Sequence, residues 1–242
     1  MECDFFDAET YTAKKNSIAE ECTNKTGSSG GVFLWGDSHA QALSYGLRQH
    51  IKEGFSFYQV ASSGCRPHVA EDSESRGEFK LACDRSNSFA LAKIKELKPD
   101  LVILAQKNDH DKNDYDHIVS ELKRIGVESI IIVGPVPQWY PSLPRAISLR
   151  HFDPKEIYIK DSGFDKSVLA VDSAMRNKVK GVDGVYISII EALCKNNGEC
   201  LSKVDGSNTP LVWDYGHLSL EGSKFVVSEV LLKNSTFLRW FR

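Results

Sequence analysis

The sequence predicts an α/β domain of three layers, a central parallel sheet with helices on both faces. Two observations predict it. Leu101-Val102-Ile103-Leu104-Ala105 and Ser129-Ile130-Ile131-Ile132-Val133 are short, almost continuously apolar runs, the pattern of strands buried on both faces. Segments with apolar residues every three or four positions alternate with such runs, as crossover helices between parallel strands require. A third observation is local. The run Val32-Phe33-Leu34-Trp35 ends in Gly36-Asp37-Ser38, and a helical pattern follows at once. Such a turn fixes a side chain at a strand end and aims unpaired helical N–H groups at it.

The elements follow in order. Residues 1–31 are polar, end in Lys25-Thr26-Gly27-Ser28-Ser29-Gly30-Gly31, and read as an extension to a domain spanning 32–242. The first strand is 32–35. Leu43, Leu47 and Ile51 then recur every fourth residue, which predicts a helix over 40–52. A strand over 55–60 is followed by a loop, 61–67, and an irregular polar stretch, 68–77. Phe79, Cys83, Phe89, Ala90, Ile94 and Leu97 mark a helix over 79–97, stopped at Lys98-Pro99-Asp100. After the strand 101–105 come a polar loop, 106–114, and a helix, 115–125, ended by Gly126. Gly134-Pro135-Val136-Pro137 closes the strand 129–133. Residues 138–163 have no clean period and read as a long excursion with short helical pieces. A helix over 165–180, a strand over 185–189, a cysteine loop and a helix from Ser219 to about Lys233 complete the chain.

Composition bounds the function. The 242 residues suffice for one well-buried core, with 41% hydrophobic and 26% charged residues. A net charge of −3 offers no footprint for nucleic acid. No run reaches the ~18 apolar residues of a membrane helix, and the start Met1-Glu2-Cys3-Asp4 has none of the regions of a signal peptide. Six cysteines fall into local couples, Cys3 with Cys22, Cys65 with Cys83 and Cys194 with Cys200. Even, local couples point to disulfides and an oxidising compartment; six buried thiols are the alternative. No couple has zinc-knuckle spacing. Disulfides without a signal imply a domain carried across a membrane by a segment outside these residues.

The chemistry sits where a doubly wound sheet binds its ligands, beyond the carboxyl ends of the strands. Ser38 is placed to attack an acyl carbon. His217 can take its proton, and Asp214, three residues earlier, can hold the imidazole. The Ser38 and Gly64 backbone N–H groups and the Asn108 side-chain amide can meet the developing oxyanion.

In order, Gly36-Asp37-Ser38-His39-Ala40, Ala61-Ser62-Ser63-Gly64-Cys65, Asn108-Asp109 and Trp213-Asp214-x-x-His217-Leu218-Ser219 resemble the SGNH (GDSL-like) hydrolase superfamily. Within it they resemble the periplasmic SGNH domain fused to acyltransferase-three membrane proteins, which O-acetylate bacterial surface polysaccharide such as lipopolysaccharide O-antigen. The resemblance covers roughly 32–232. It implies a flavodoxin-like SGNH sandwich, a Ser38–His217–Asp214 triad, and an oxyanion hole of Ser38, Gly64 and Asn108. It also implies an acyltransferase on the periplasmic side of the inner membrane, with a polysaccharide acceptor and a membrane acyltransferase domain as partners. No cofactor is expected in this domain; the acetyl group would come ultimately from acetyl-CoA through the membrane domain. An esterase would use the same residues with water as acceptor, and a silent glycan-binding module is the non-enzymatic alternative. Two positions depart from the family pattern. Gln106 stands where its third block has glycine, and His39 where the GDSL form has leucine.

Other features carry competing readings. His39 is a second base or a residue that shapes the pocket. The stretch Asn108–His117 is rich in metal-capable side chains but lacks calcium-loop spacing, which favours a solvated loop with a helix cap. Trp139, Tyr140, Arg145, Arg150 and His151 line a sugar groove or pack the excursion. The tail Phe237-Leu238-Arg239-Trp240-Phe241-Arg242 touches a membrane surface or packs the last helix. A degenerate α/β-hydrolase elbow fits less well, because Ser38 follows the first strand and the acid and base share one loop.

Overall fold

The computed structural model describes residues 2–7, 15–71 and 75–241. Expectations touching Met1, residues 8–14 of the extension, 72–74 of the irregular stretch and Arg242 of the tail lie outside the described residues. In chain order the elements are β1 (Gly30–Gly36), α1 (Ser38–His50), β2 (Phe55–Ala61), α2 (Gly77–Leu97), β3 (Leu101–Ala105), α3 (Tyr115–Ile125), β4 (Ser129–Val133), α4 (Leu143–Arg150), β5 (Tyr158–Ile159), α5 (Ser167–Lys178), β6 (Val185–Ile187), α6 (Ile189–Leu193), β7 (Cys200–Leu201), α7 (Leu220–Glu229) and α8 (Ser235–Leu238). The main sheet is five-stranded, ordered β2-β1-β3-β4-β6, and every pairing in it is parallel.

Side-chain alternation explains why β1, β3 and β4 are almost wholly apolar. Val32, Leu34, Ile103 and Ile131 face a cluster with Leu43 and Leu47 of α1 and Val226 and Val227 of α7. Phe33, Trp35, Val102, Leu104, Ile130 and Ile132 face the opposite cluster, with Ile94 of α2, Leu122 of α3 and Met175 of α5. Both faces are covered, so a polar side chain on the sheet must find a hydrogen-bond partner, as Gln59 of β2 does in Ser44 and Gln41. Each fully buried aliphatic side chain contributes about 1.5–3 kcal/mol.

Where boundaries differ from expectation, side-chain caps account for several of the differences. α1 begins at Ser38 because the Asp37 carboxylate accepts from the His39 N–H at 2.8 Å. β6 stops at Ile187 because the Ser188 hydroxyl accepts from the Glu191 N–H at 2.9 Å and starts α6. The closing helix ends at Glu229, and Leu231–Lys233 continues as a 3-10 turn. Phe237, Trp240 and Phe241 are buried, with Phe237 and Phe241 stacked at 4.3 Å, so the described tail packs on the domain and does not present its rings outward.

Within the excursion, β5 pairs antiparallel with β7. Trp139 is fully buried, which gives it a packing role and not a groove. Arg150 and His151 both bind Asp161, Arg150 through two bonds of 2.8 and 3.0 Å and His151 through Nε2 at 3.0 Å. The Arg150 guanidinium is the main reason the Asp161 carboxyl is lowered to about 2. Arg145 is exposed near the start of α4.

The N-terminal segment is an added rung on the sheet edge. The Phe5 N–H donates to the Ala61 carbonyl and the Ala61 N–H to the Cys3 carbonyl, both at 2.9 Å, and Phe5 is buried. Disulfides join Cys3 to Cys22, Cys65 to Cys83 and Cys194 to Cys200 across separations of 19, 18 and 6 residues. Closing the two longer loops contributes about 3 kcal/mol each in the chain-entropy picture.

One constraint places the site. Gly36 pairs with Ala61 on one side and Ala105 on the other. A Cβ there would lie 1.7 Å from the Ala105 carbonyl oxygen and 2.8 Å from the Ala40 Cβ. Gly36→Ala is therefore expected to cost at least about 3 kcal/mol by urea denaturation. A cost under about 1 kcal/mol would show that the strands can part without penalty.

Candidate active site

The register brings separated residues together. Ser38 lies two residues beyond Gly36, Gly64 three beyond Ala61, and Asn108 three beyond Ala105, so all leave the same end of three adjacent strands. Ser38 is the first residue of α1, where helical N–H groups lack intrahelical acceptors. Its hydroxyl lies 2.8 Å from His217 Nε2, and His217 Nδ1 lies 2.7 Å from Asp214 Oδ2.

Asp214 and His217 sit in a tight loop closed by an antiparallel bridge between Val212 and Leu218. Asp214 Oδ1 accepts from the Gly216 N–H at 2.9 Å and the His217 N–H at 2.8 Å. Burial pushes the Asp214 carboxyl up, but the His217 side chain and these two N–H groups outweigh it and hold the group below its ordinary value. Asp214 is thus an anion at neutral pH, suited to fix the tautomer with the proton on Nδ1 and Nε2 free to accept from Ser38. The excursion braces this loop, with the Trp139 N–H donating to the Tyr215 carbonyl at 2.7 Å and the Leu143 N–H to the Asp214 carbonyl at 3.0 Å.

Gly64 takes a left-handed φ of +81°, which favours glycine. Among the described residues its N–H meets no acceptor, and neither does the Asn108 amide. In place of the family's glycine, buried Gln106 donates to the Asn108 carbonyl at 2.6 Å and accepts from Asn113 at 2.7 Å. Side-chain bonds thus shape the loop that a glycine would otherwise shape. In the metal-capable stretch, His110 binds the Val133 carbonyl at 3.1 Å and Asp114 caps α3 through the His117 N–H at 3.0 Å.

His39 is buried, its Nε2 3.2 Å from the Tyr215 hydroxyl and its ring centroid 4.5 Å from that of His217. Burial first, then the charges of His217 and Lys107, hold it well below the ordinary histidine range. It therefore stays neutral beside an imidazole that can gain a proton, which fits shaping the pocket better than serving as a second base.

Ser38 and His217 open on a cleft of ≈ 780 Å³ that Trp213, Tyr45, Arg48 and Leu220 also line. Trp213 is 61% exposed and stacks on His217 at 5.6 Å. Trp213 and Tyr215 adjoin Asp214 in the sequence, an adjacency that could have pointed to them. Gln138, which donates to the Lys107 carbonyl at 2.8 Å, and Asp4 of the N-terminal segment carry no such signal.

Residues 2–231 match the family model described as "SGNH domain (fused to AT3 domains)". No curated protein matches the chain. Among solved structures, the Salmonella ser. Paratyphi A lipopolysaccharide acetyltransferase periplasmic domain is similar, with 24% identity and a TM-score of 0.72 over 97% of this chain and 91% of that one. It shares the fold. A Streptococcus pneumonia structure named for a platelet activating factor, at 13% identity and a TM-score of 0.46 over 84% of this chain and 82% of that one, is too distant to carry an argument.

Asp37 yields a test. Its Oδ1 caps α1, and its Oδ2 accepts from the Lys107 N–H at 2.9 Å. Burial outweighs these bonds and raises the carboxyl from 3.8 to about 6. A folded-state pKa above the unfolded one contributes stability that is fully present below pH 3.8 and lost as pH rises through about 6. Asp37→Asn removes that titration. Between about pH 4 and pH 7, wild type should lose up to about 3 kcal/mol relative to the variant in urea denaturation. A difference independent of pH would contradict this assignment.

Proposed function

The chain belongs to the family of SGNH domains fused to AT3 domains, and from that premise we propose that it performs serine-dependent acyl transfer through an acetyl-Ser38 intermediate. The observation that carries the reading is the unbroken Ser38–His217–Asp214 relay, with contacts of 2.8 and 2.7 Å. Ser38 Oγ attacks the acetyl carbonyl carbon while His217 Nε2 takes the hydroxyl proton. The Asp214 carboxylate stabilises the imidazolium. The oxyanion lies among the Ser38 and Gly64 N–H groups and the Asn108 amide. Collapse expels the leaving group, which takes the proton from His217. An acceptor hydroxyl then gives its proton to His217 and attacks the acetyl-serine, and the second collapse returns the proton to Ser38.

The acceptor in this reading is a hydroxyl of a bacterial surface polysaccharide such as lipopolysaccharide O-antigen. Support comes from the family's fusion to AT3 domains and from the name of the Salmonella structure that shares this fold. The domain works on the periplasmic side of the inner membrane, where its three disulfides are stable. The acetyl group reaches it from acetyl-CoA through the membrane domain, and this domain holds no cofactor. An esterase differs only in having water as acceptor, and the fusion to AT3 domains favours transfer.

Ser38→Ala should lower turnover of an acetyl ester at least about 10⁴-fold while the far-UV spectrum and melting curve stay those of the parent. An organophosphonate should label wild type at Ser38. In wild type incubated with an acetyl donor, mass spectrometry should find the acetyl group on Ser38 and, once a glycan is added, on the glycan. Full turnover by the alanine variant would overturn the serine mechanism. Release to water only, with glycan present, would make the domain an esterase.

A further inference from the structure

The loop Ser62-Ser63-Gly64-Cys65 is anchored at both ends. The Ser62 N–H donates to the Gly36 carbonyl at 3.0 Å, the Cys65 N–H to the Ser62 carbonyl at 2.8 Å, and Cys65 is bridged to Cys83. Ser63 is held from outside the loop. Its N–H donates to Asp4 Oδ1 at 3.0 Å and its hydroxyl to Asp4 Oδ2 at 2.7 Å. Asp4 belongs to the N-terminal segment, is 1% exposed, and also accepts from the Phe6 N–H at 2.8 Å.

Burying a carboxylate costs several kcal/mol unless hydrogen bonds replace its water. Docking the segment does not call for one. The backbone bonds to Ala61, the buried Phe5 ring and the Cys3–Cys22 bridge already fasten it. The two bonds that Ser63 donates to Asp4 act on the loop instead. The Ser63 carbonyl and the Gly64 N–H share one rigid peptide plane, so the setting of Ser63 aims that N–H. The other loop is also held by a buried carboxylate. Buried Asp37 accepts from the N–H of Lys107, the residue before Asn108.

We infer that Asp4 is a positioning residue for acyl transfer: its buried carboxylate sets Ser63 so that the Gly64 N–H points at the oxyanion, which makes the N-terminal segment a working part of the active site. Asp4 and Phe6 also line the cleft shared by Ser38 and His217. The inference rests on the proposed role of the Gly64 N–H.

The test follows hydrolysis of p-nitrophenyl acetate by the whole chain, with competent sites counted by stoichiometric phosphonate labelling of Ser38. Asp4→Ala should lower kcat per labelled site about 10²-fold, with KM within about twofold, because only transition-state stabilisation is lost. Asp4→Asn should recover most of the loss, since its carbonyl can accept from the Ser63 N–H while its amide donates to the Ser63 hydroxyl, which can turn to accept. Full kcat per labelled site in Asp4→Ala, even with fewer sites or a lower melting temperature, would mean a purely structural role and overturn the inference. So would an Asp4→Asn variant as impaired as Asp4→Ala. Turnover by wild type that does not depend on Ser38 would instead bring down the serine mechanism on which the inference stands.

Discussion

A single buried carboxylate ties the site to the fold. Asp37 caps the helix that starts at Ser38 and, through its second oxygen, holds the first residues after β3. Both bonds favour the anion. Burial opposes the anion and places the group near pH 6, unusually high for an aspartate. The turn is therefore held by a group that the interior would prefer neutral. One residue before Asp37, Gly36 fits between β2 and β3 with no room for a Cβ, which fixes where the turn begins.

The second half of the site is built on other terms. Asp214, Gly216 and His217 satisfy one another within a loop, and the acid meets the base without help from a distant strand. What the loop lacks is a support behind it, and the excursion supplies that through Trp139 and Leu143. Gly216 matters here because a Cβ would lie 2.9 Å from Gln138 Cγ and 3.1 Å from His39 Cε1. Trp139 is thus explained by bracing, and Arg150 and His151 by the Asp161 ion pairs.

Much of this was legible in the sequence, for identifiable reasons. Strands buried on both faces cannot alternate, so β3 and β4 stand out as apolar runs. Ser38, Gly64, Asn108, Asp214 and His217 lie just past strand ends or in one short loop, where order along the chain maps onto place in the fold. Boundaries slipped where one side chain overrides periodicity, as Asp37 does for α1 and Ser188 for α6. Supporting contacts that reach across the chain to the site were not legible. Nothing near Asp4 in the sequence points to Ser63, and nothing near Gln138 points to Lys107, because such pairings exist only once the sheet has set their distance.

The division of the relay between two pieces has a mechanical consequence. Acid and base travel together on one loop, and the serine travels with α1. Within the relay, relative motion between the pieces opens the Ser38–His217 contact and leaves Asp214–His217 alone; the His39–Tyr215 contact spans the same joint. The loop runs directly into α7, and α7 grips α1 where Ser223 Oγ accepts from the Gly46 N–H at 2.8 Å and donates to the Leu43 carbonyl at 2.9 Å. A Cβ on Gly46 would come within 2.3 Å of the Ser223 carbonyl oxygen, so the helices touch backbone to backbone. That contact works as a latch. Wear on it would show first as lost reach between serine and histidine, while the Asp214–His217 pair stayed intact.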